Sequence, residues 1–237
     1  MHQRLQPLKL NSADGKNINE QGATTMHKMI SLSEQFLRKS GQQYLTNINH
    51  VANIQSIMQL GLLCHAEAAK VHHRSVAIED VQLRRKNRKI INGMSLHLYV
   101  CLYFAPRNPM MFYLKCHPEK AAPEELCVLM ISPDVLDLEG VIVTDGNAAD
   151  DMTRFFSPEE GMASLNYDGI YAKYWNDPNL FVKEEKKRIK CAEVLVPGSF
   201  SYDMIEGALV PCEKTETVLR SLGFSRKIII HPDTFFQ

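Results

Sequence analysis

Residues 96–106 read LHLYVCLYFAP, and this stretch decides the fold class. Its side chains alternate with a period of two, which predicts a β-strand covered on both faces. One face carries Leu98, Val100, Leu102 and Phe104, and the other carries Tyr99, Cys101 and Tyr103. The same reading predicts further strands at 110–115, 127–132, 140–144, 191–197, 207–211 and 227–231.

Helices are predicted before these strands. A helix is expected around 29–40, ending at Gly41, and a second one in NHVANIQSIMQLGLL, with Asn49 as its cap and Gly61 at its end. Early helices followed by runs of strands predict an α+β fold with a largely antiparallel sheet. Residues 1–25 are polar and lack periodicity, so we expect a flexible N-terminal arm followed by a single domain over 26–237.

Composition excludes several classes of protein. The 237 residues include 27 Lys and Arg against 27 Asp and Glu, so a uniformly basic nucleic-acid coat is excluded, although a local patch is not. No apolar run approaches the roughly 20 residues that span a bilayer, and no signal-peptide core is present. Six cysteines without CxxC pairing indicate free thiols in a reducing interior. We therefore expect a cytoplasmic protein with no membrane partner.

Common cofactor and metal motifs are absent from the sequence. No GxGxxG, GxxxxGK[ST] or GxSxG occurs, so dinucleotide-fold, P-loop and hydrolase-elbow interpretations have no local support. Cys64, His65, His72 and His73 are close in sequence, but their spacing matches no standard zinc pattern. We therefore predict no metal site.

One acidic residue interrupts an otherwise apolar strand. In KCAEVLV, Glu193 shares a face with Cys191 and Leu195. Such a carboxylate has to reach solvent, find a partner or sit in a cleft. In a cleft it suits the role of a general base, whereas on a solvated strand face it has no chemical role, and the local pattern leaves both interpretations open.

A basic run stands out in a chain of zero net charge. LRRKNRK, at 83–89, places five cations within seven positions: Arg84, Arg85, Lys86, Arg88 and Lys89. This pattern is typical of phosphate contacts to a dinucleotide or a nucleic-acid backbone. It is equally typical of a solvated helix face.

Two turns complete the candidates. YFAPRNPM, at 103–110, brackets Arg107 and Asn108 between prolines and fixes them as a rigid rim. TDGNAADDM, at 144–152, contains a DGN turn around Asn147, which local sequence alone favours as an ordinary surface loop.

Taken in order, these segments resemble the DarT family of DNA ADP-ribosyltransferase toxins. The resemblance runs from about Gln43 to Pro211. It rests on the order and spacing of TNINHVANIQSIMQLGLL, VQLRR, LHLYVCLYFAPRNPMMF, VTDGNA, LNYDGIYAKYW and CAEVLVP. The YFAPRNPM and AEVLVP blocks are the most specific as a pair.

The resemblance implies an ADP-ribosyltransferase (PARP-like) fold with a split sheet, peripheral helices and an NAD cleft. NAD would be the co-substrate, and ADP-ribose would pass to a base of single-stranded DNA. The family's partner is an antitoxin that hydrolyses ADP-ribosyl-DNA. The catalytic glutamate falls on Glu193, as base and stabiliser of an oxocarbenium-like transition state, and the arginine motif falls on Arg84–Arg85, with Arg85 preferred.

The resemblance also implies binding residues. For NAD these are Asn47, Asn49, Arg84, Arg85, Tyr103, Phe104 and Asn147, with Tyr103 or Phe104 as the wall beside the ring. For DNA these are Arg84, Lys86, Arg88, Lys89, Arg107 and Asn108.

The sequence departs from the family's pattern at four positions. Asn47 and Asn147 stand where histidines are usual, Leu98 replaces an acidic residue, and Cys101 replaces a proline. These departures favour the divergent, guanosine-modifying branch over the thymidine-modifying one. They also leave two alternatives open: a nucleic-acid-binding module without NAD chemistry, and an enzyme that modifies RNA or protein.

Overall fold

A large sheet forms the centre of the molecule. The computed structural model describes residues 30–90 and 93–237, so the arm expected over 1–25 lies outside the described residues. Ten strands are described within these ranges: β1 Leu45–His50, β2 Leu62–Leu63, β3 Tyr99–Tyr103, β4 Leu126–Ile131, β5 Ile142–Thr144, β6 Phe155–Phe156, β7 Glu193–Pro197, β8 Ser199–Phe200, β9 Ile205–Val210 and β10 Lys227–Ile230.

Eight strands form one sheet in the order β10-β9-β4-β1-β3-β7-β5-β6, and β2 pairs with β8 separately. Every pair in the large sheet is antiparallel except β9 with β10. This confirms the predicted α+β class with a largely antiparallel sheet.

The sheet is split between β1 and β3. These two strands share one residue pair, Thr46 opposite Tyr103, whereas β1 pairs with β4 along its whole length. The Thr46 hydroxyl donates to the Tyr103 carbonyl at 3.0 Å, and farther along the Asn47 side-chain amide donates to the Cys101 carbonyl at 3.1 Å. A side chain therefore bridges the strands where the backbone ladder has ended.

Helices flank the sheet. Within the described ranges they are α1 Leu32–Ser40, α2 Ile54–Leu60, α3 His65–Ala68, α4 Glu79–Asn87, α5 Pro109–Cys116, α6 Pro158–Ser164, α7 Tyr167–Tyr171, α8 Leu180–Lys190 and α9 Glu213–Ser221. Gly61 ends α2 at φ +77°, and a Cβ there would lie 2.1 Å from the Phe200 carbonyl oxygen, so only glycine fits.

Two local predictions are wrong. Residues 110–115 belong to helix α5 because Asn108 caps its first turn and Pro109 occupies its first position. Asn49 does not cap α2, since it lies in β1, and α2 begins only at Ile54, after a single 3-10 turn. The His50 ring caps that turn by accepting from the Ala52 amide at 3.0 Å.

The strand alternation sorts the core onto two sides of the sheet. Val100, Leu102 and Phe104 are buried in the largest apolar cluster, together with Val194 and Val196 of the neighbouring strand. Tyr103 packs against a second cluster on the opposite side. Because Glu193 lies opposite Tyr103 in the ladder, its side chain shares the face of Tyr103 and not that of Phe104.

Candidate active site

Glu193 is fully buried at the start of β7. Its Oε1 accepts hydrogen bonds from Arg85 Nη2 at 2.5 Å and from the Ala148 amide at 3.1 Å. Its Oε2 is also buried and has no hydrogen-bond partner among the described residues. A buried carboxylate needs a charged partner, and one of its two oxygens has one. The solvated-face interpretation of this position is therefore excluded.

Arg85 is the arginine of the basic run that reaches this carboxylate. It is 5% exposed, whereas Arg84 beside it is exposed. A second nitrogen, Nη1, donates to Cys101 Sγ at 2.8 Å, and Nη2 also lies 3.5 Å from Asn147 Oδ1. Burial raises the pKa of the Cys101 thiol to about 12, so the sulfur is a neutral acceptor at pH 7. The guanidinium thus joins β3, β7 and the DGN turn.

Uncharged groups surround the ion pair. Burial raises the pKa of the Tyr103 hydroxyl well above its usual range, and the nearby Glu193 charge adds to the effect. Burial likewise raises the pKa of the Cys191 thiol to about 12, again with a contribution from Glu193. Both groups stay protonated at neutral pH, which leaves Arg85 to balance the charge of the carboxylate.

Thr144 fixes the backbone at the start of β7. Its buried hydroxyl accepts from the Glu193 amide at 3.0 Å and donates to the Gly146 carbonyl at 2.7 Å. The turn that follows supplies the Ala148 amide to the carboxylate, while Asn147 Oδ1 accepts from the Ala149 amide at 3.0 Å. The Thr144 hydroxyl therefore connects β7 to the turn whose Ala148 amide holds the Glu193 side chain.

An ion-pair network braces the same turn. Asp145 Oδ1 accepts from Arg188 at 2.8 Å, and its Oδ2 accepts from Arg154 at 2.7 Å. Burial alone would raise the pKa of Asp145, but the hydrogen bonds from Arg154 and Arg188 outweigh it and lower the pKa. TDGNAADDM is therefore not an ordinary surface loop: ion pairs hold it in place, and it contacts Glu193 and Arg85.

A cavity of about 210 Å³ lies at the split in the sheet. Asn47, Asn49, Arg85 and Tyr103 line it, together with loop 73–78. The side chain of Asn53 ties this loop down: it donates to the Arg74 carbonyl at 2.9 Å and accepts from the Arg74 amide at 2.8 Å.

A larger cavity of about 870 Å³ adjoins the smaller one. Tyr103 lines both, and Asn147 and Cys191 line the larger one. Glu193 lines neither directly, but its partner Arg85 lines the smaller cavity, and Tyr103, opposite it in the ladder, lines both. Six lysines and arginines and only two carboxylates line the larger cavity: Arg84, Arg107, Lys173, Lys183, Lys187 and Arg188, against Asp150 and Glu184.

Phe104 does not fit its predicted place beside a bound ring. It is fully buried and packs 6.0 Å from Phe36, measured between ring centroids. Successive strand residues point to opposite faces, so Tyr103 reaches the cavities and Phe104 enters the core. Tyr103 is the member of the predicted pair that the structure brings to the site.

Asn108 likewise does not fit its predicted contact with DNA. It is fully buried, its Oδ1 accepts from the Met111 amide at 3.0 Å, and its Nδ2 donates to the Ala105 carbonyl at 3.0 Å. Arg107 does line the larger cavity, but it also donates to the carbonyls of Lys173 and Asp233, at 2.7 and 3.0 Å. The side chains of the proline-bracketed turn thus mainly hold backbone groups in place.

The rest of the basic run lies on the surface. Lys86 and Lys89 are exposed, and Arg88 pairs with Asp151. Arg84, Arg88 and Lys89 line a third hollow of about 610 Å³ beside the DGN turn. Their prediction as nucleic-acid contacts stays a prediction.

An aromatic group on the larger cavity was not predicted from the sequence. Phe112, Trp175 and Phe236 line it, and they come from α5, the segment after α7 and the chain end. None of these three lies in a strand, and only the fold brings them together.

The described ranges hold no group of three or more His, Cys, Asp or Glu side chains arranged to bind a metal ion. All six cysteines are free thiols, as expected from their spacing. None of the helices within residues 30–90 and 93–237 has the length and apolarity needed to cross a bilayer.

Comparison with known proteins gives consistent matches. The family model for "ssDNA thymidine ADP-ribosyltransferase, DarT" matches residues 46–236. The DNA ADP-ribosyl transferase of Thermus sp. (strain 2.9) is 31% identical over 183 residues, which cover 74% of this chain and 85% of the relative. A DNA ADP-ribosyl transferase–DNA ADP-ribosyl glycohydrolase fusion protein of Thermosipho africanus is 30% identical over 193 residues. That match covers 80% of this chain, which spans about half the length of the fusion, 48%.

Solved structures agree with the sequence matches. Thermus sp. 2.9 DarT in complex with ADP-ribosylated ssDNA has a TM-score of 0.69 at 28% identity, over 82% of this chain and 99% of that one. The same protein in complex with NAD+ has a TM-score of 0.66 at 26% identity, over 81% and 97%. These matches confirm the resemblance and the fold type predicted from the sequence. With a family match that spans most of its length, the chain belongs to the DarT family of DNA ADP-ribosyltransferases.

Proposed function

We propose that this chain transfers ADP-ribose from NAD to a base of single-stranded DNA, with Glu193 as the general base. The observation that carries the proposal is the asymmetry of this buried carboxylate. Arg85 and the Ala148 amide hold Oε1, while Oε2 has no partner among the described residues. An unpaired buried oxygen is costly, so its retention supports a chemical role.

The residues at the split suit a dinucleotide. Asn47 and Asn49 offer amide groups that hydrogen-bond a carboxamide or ribose hydroxyls, and Arg85 offers a positive charge. A cavity of about 210 Å³ is small beside the roughly 300–1,000 Å³ of typical ligand sites. We infer that loop 73–78, which two hydrogen bonds between Asn53 and Arg74 hold in place, moves outward when NAD enters.

In the proposed transfer of ADP-ribose, Glu193 and Arg85 have separate roles. Bound NAD supplies an electrophilic ribose carbon, with nicotinamide leaving together with the electron pair of the glycosidic bond. The Glu193 carboxylate, with its negative charge near that carbon, stabilises the oxocarbenium-like transition state. Its free oxygen accepts the proton from the attacking base nitrogen, a form of help worth about 10²–10⁴-fold. Arg85 holds the other oxygen in place.

The larger cavity is assigned to the DNA acceptor. Its excess of cations suits a phosphate backbone, and Tyr103 joins it to the NAD side. We assign guanine or thymine as the modified base and favour guanine because Asn47 and Asn147 replace the usual histidines. The biological role proposed is that of a toxin opposed by an ADP-ribosyl-DNA hydrolase, a pairing that the fused Thermosipho africanus relative supports.

The two alternatives differ in how much of the proposed chemistry they keep. A binding module without NAD chemistry has no need of a buried Arg85–Glu193 pair, since such pairs do not generally stabilise a fold. An enzyme acting on RNA or protein keeps the same chemistry and differs only in the acceptor.

The test uses NAD labelled in the adenylate half. The wild-type chain is mixed with separate pools of single-stranded DNA, RNA and protein, and the DNA arm includes oligonucleotides that lack guanine or lack thymine. Label in the DNA pool alone supports the proposal, and loss of label without guanine supports the favoured base. Label confined to RNA or protein, or no label with any acceptor, contradicts it.

A further inference from the structure

The aromatic residues of the larger cavity form one compact group, which we call the aromatic triad: Phe112, Trp175 and Phe236. Their ring centroids lie 5.1–5.9 Å apart, with interplanar angles of 70–88°. This edge-to-face arrangement is stable in itself and leaves ring faces turned away from the partners. Phe112 is 42% exposed, so the triad is not a closed core.

The backbone at the chain end is strained in a way that builds this triad. Phe236 has φ 59° and ψ 40°, and it is the only non-glycine residue of the described ranges with positive φ. A bulky side chain in this region carries a steric cost, because its Cβ crowds the backbone. Phe235 next to it is 1% exposed in the apolar core, so the unusual turn directs one ring inward and the next ring into the cavity.

Cations border the triad. The Arg107 guanidinium lies 4.0 Å from the Phe236 ring centroid, and it also donates to the Lys173 carbonyl at 2.7 Å. Lys173 and Lys187 line the same cavity, which has six basic and two acidic side chains. Aromatic faces combined with a positive groove are the features that bind single-stranded nucleic acid by stacking its bases and tracking its phosphates.

We propose that the aromatic triad is a stacking subsite for a base that flanks the modified nucleotide in single-stranded DNA. The inference rests on the proposed function, because it takes the larger cavity to be the acceptor side. The flanking base stacks on an exposed face of Trp175 or Phe112, and its phosphate is held by Arg107 or Lys173. Phe236 supports the other two rings from the chain end.

A double-mutant cycle between protein and DNA tests this subsite, with equilibrium DNA binding as its readout. Fluorescence anisotropy is measured for wild type and Trp175→Ala on a short labelled oligonucleotide and on versions in which each flanking base in turn is abasic. The loss of one stacked base is expected to weaken wild-type binding roughly 5-fold to 100-fold at one position. Trp175→Ala is expected to show a similar loss on the intact strand and no further loss at that abasic position.

Control variants separate stacking from folding and from general charge. Trp175→Phe keeps an aromatic face and is expected to restore most of the affinity. Phe181→Ala removes a side chain that is 87% exposed and does not line the cavity, so it is expected to bind as wild type does. Melting temperatures of all variants should agree within a few degrees, and a Trp175→Ala protein that melts early is replaced by Phe112→Ala in the same cycle.

Two results would overturn the subsite: additive losses at every abasic position, or a raised KM for NAD with unchanged DNA affinity, which would place the triad on the dinucleotide. The proposed transfer to DNA is tested separately, because it fails if wild type labels no DNA from NAD. The double-mutant cycle measures DNA binding, so it tests the stacking subsite whether or not wild type labels DNA.

Discussion

Tyr103 lies directly opposite Glu193 in the β3–β7 ladder, and its carbonyl accepts a hydrogen bond from the Thr46 hydroxyl at the one residue pair that β1 and β3 share. The same residue thus marks the end of the split and the position of the buried carboxylate. Glu193 is therefore paired in the ladder with a residue that lines both cavities.

Arg85→Ala is expected to destabilise the fold. It leaves Glu193 buried without a countercharge, and breaking a buried pair typically costs about 3–5 kcal/mol. Arg84→Ala is the matched control, since its side chain is exposed. Urea unfolding of the two variants measures the difference. Equal stabilities would mean that the ion pair does not form in solution.

Thr144→Val is expected to slow transfer through misplacement of Glu193. The variant removes the hydroxyl that joins the Glu193 amide to the Gly146 carbonyl, and small misplacements of a catalytic group cost up to about 100-fold. A fall in kcat with little change in KM for NAD is expected, and Thr144→Ser should recover most of it. If serine is as slow as valine, the hydroxyl has no positioning role.

Asn108→Ala is expected to lower stability and leave DNA binding unchanged. The variant removes the cap of α5, worth about 0.5–2 kcal/mol, from a fully buried side chain. Chemical denaturation gives the first quantity and an oligonucleotide titration the second. Weaker DNA binding by an equally stable variant would instead restore the role predicted from the sequence.

Lys190 gives stability a pH dependence of known sign. Burial lowers the pKa of its amine to about 8, and its Nζ donates to the Ile170 carbonyl at 2.7 Å. The native state then releases this proton before the unfolded state, whose lysine titrates near 10.4. By linkage, its contribution to the unfolding free energy rises with pH between about 8 and 10, by about 2 kcal/mol from pH 7 to 9.5.

The Lys190→Met variant isolates that contribution. Buried thiols such as Cys127, whose pKa burial raises to about 12, act in the opposite direction above pH 9. The comparison is therefore the difference in unfolding free energy between wild type and variant at each pH. A difference that stays constant from pH 7 to 9.5 would show that the amine is not perturbed.

Sequence patterns singled out Glu193 as a candidate, because an acidic residue in an apolar strand is a local signal, but they left a solvated strand face open and only the resemblance gave the residue a role. Its partner was harder to find, since Arg85 reaches it from a helix 108 positions away and shares its motif with an exposed neighbour. The family resemblance favoured Arg85, and burial now separates the two arginines. Helix α5 was missed because Phe and Tyr suit strands, although Met favours helices and Asn108–Pro109 is a helix-start signal.

The aromatic triad lay beyond local prediction for a different reason. Its members are separated by tens of residues, and each looks like an ordinary core residue in its own segment. Only the turn at Phe236 and the path of the chain after α7 bring the rings to one cavity. Phe104 shows the reverse case, in which strand alternation already separated it from Tyr103.

The most direct measurement compares Glu193→Gln with Glu206→Gln in the transfer of labelled ADP-ribose from NAD to single-stranded DNA. Both residues are strand glutamates, but Glu206 is exposed on β9 while Glu193 is fully buried. We expect Glu193→Gln to lose at least about 100-fold in rate while its melting temperature still rises with NAD, and Glu206→Gln to match wild type. A Glu193→Gln protein that labels DNA at the wild-type rate would contradict the account.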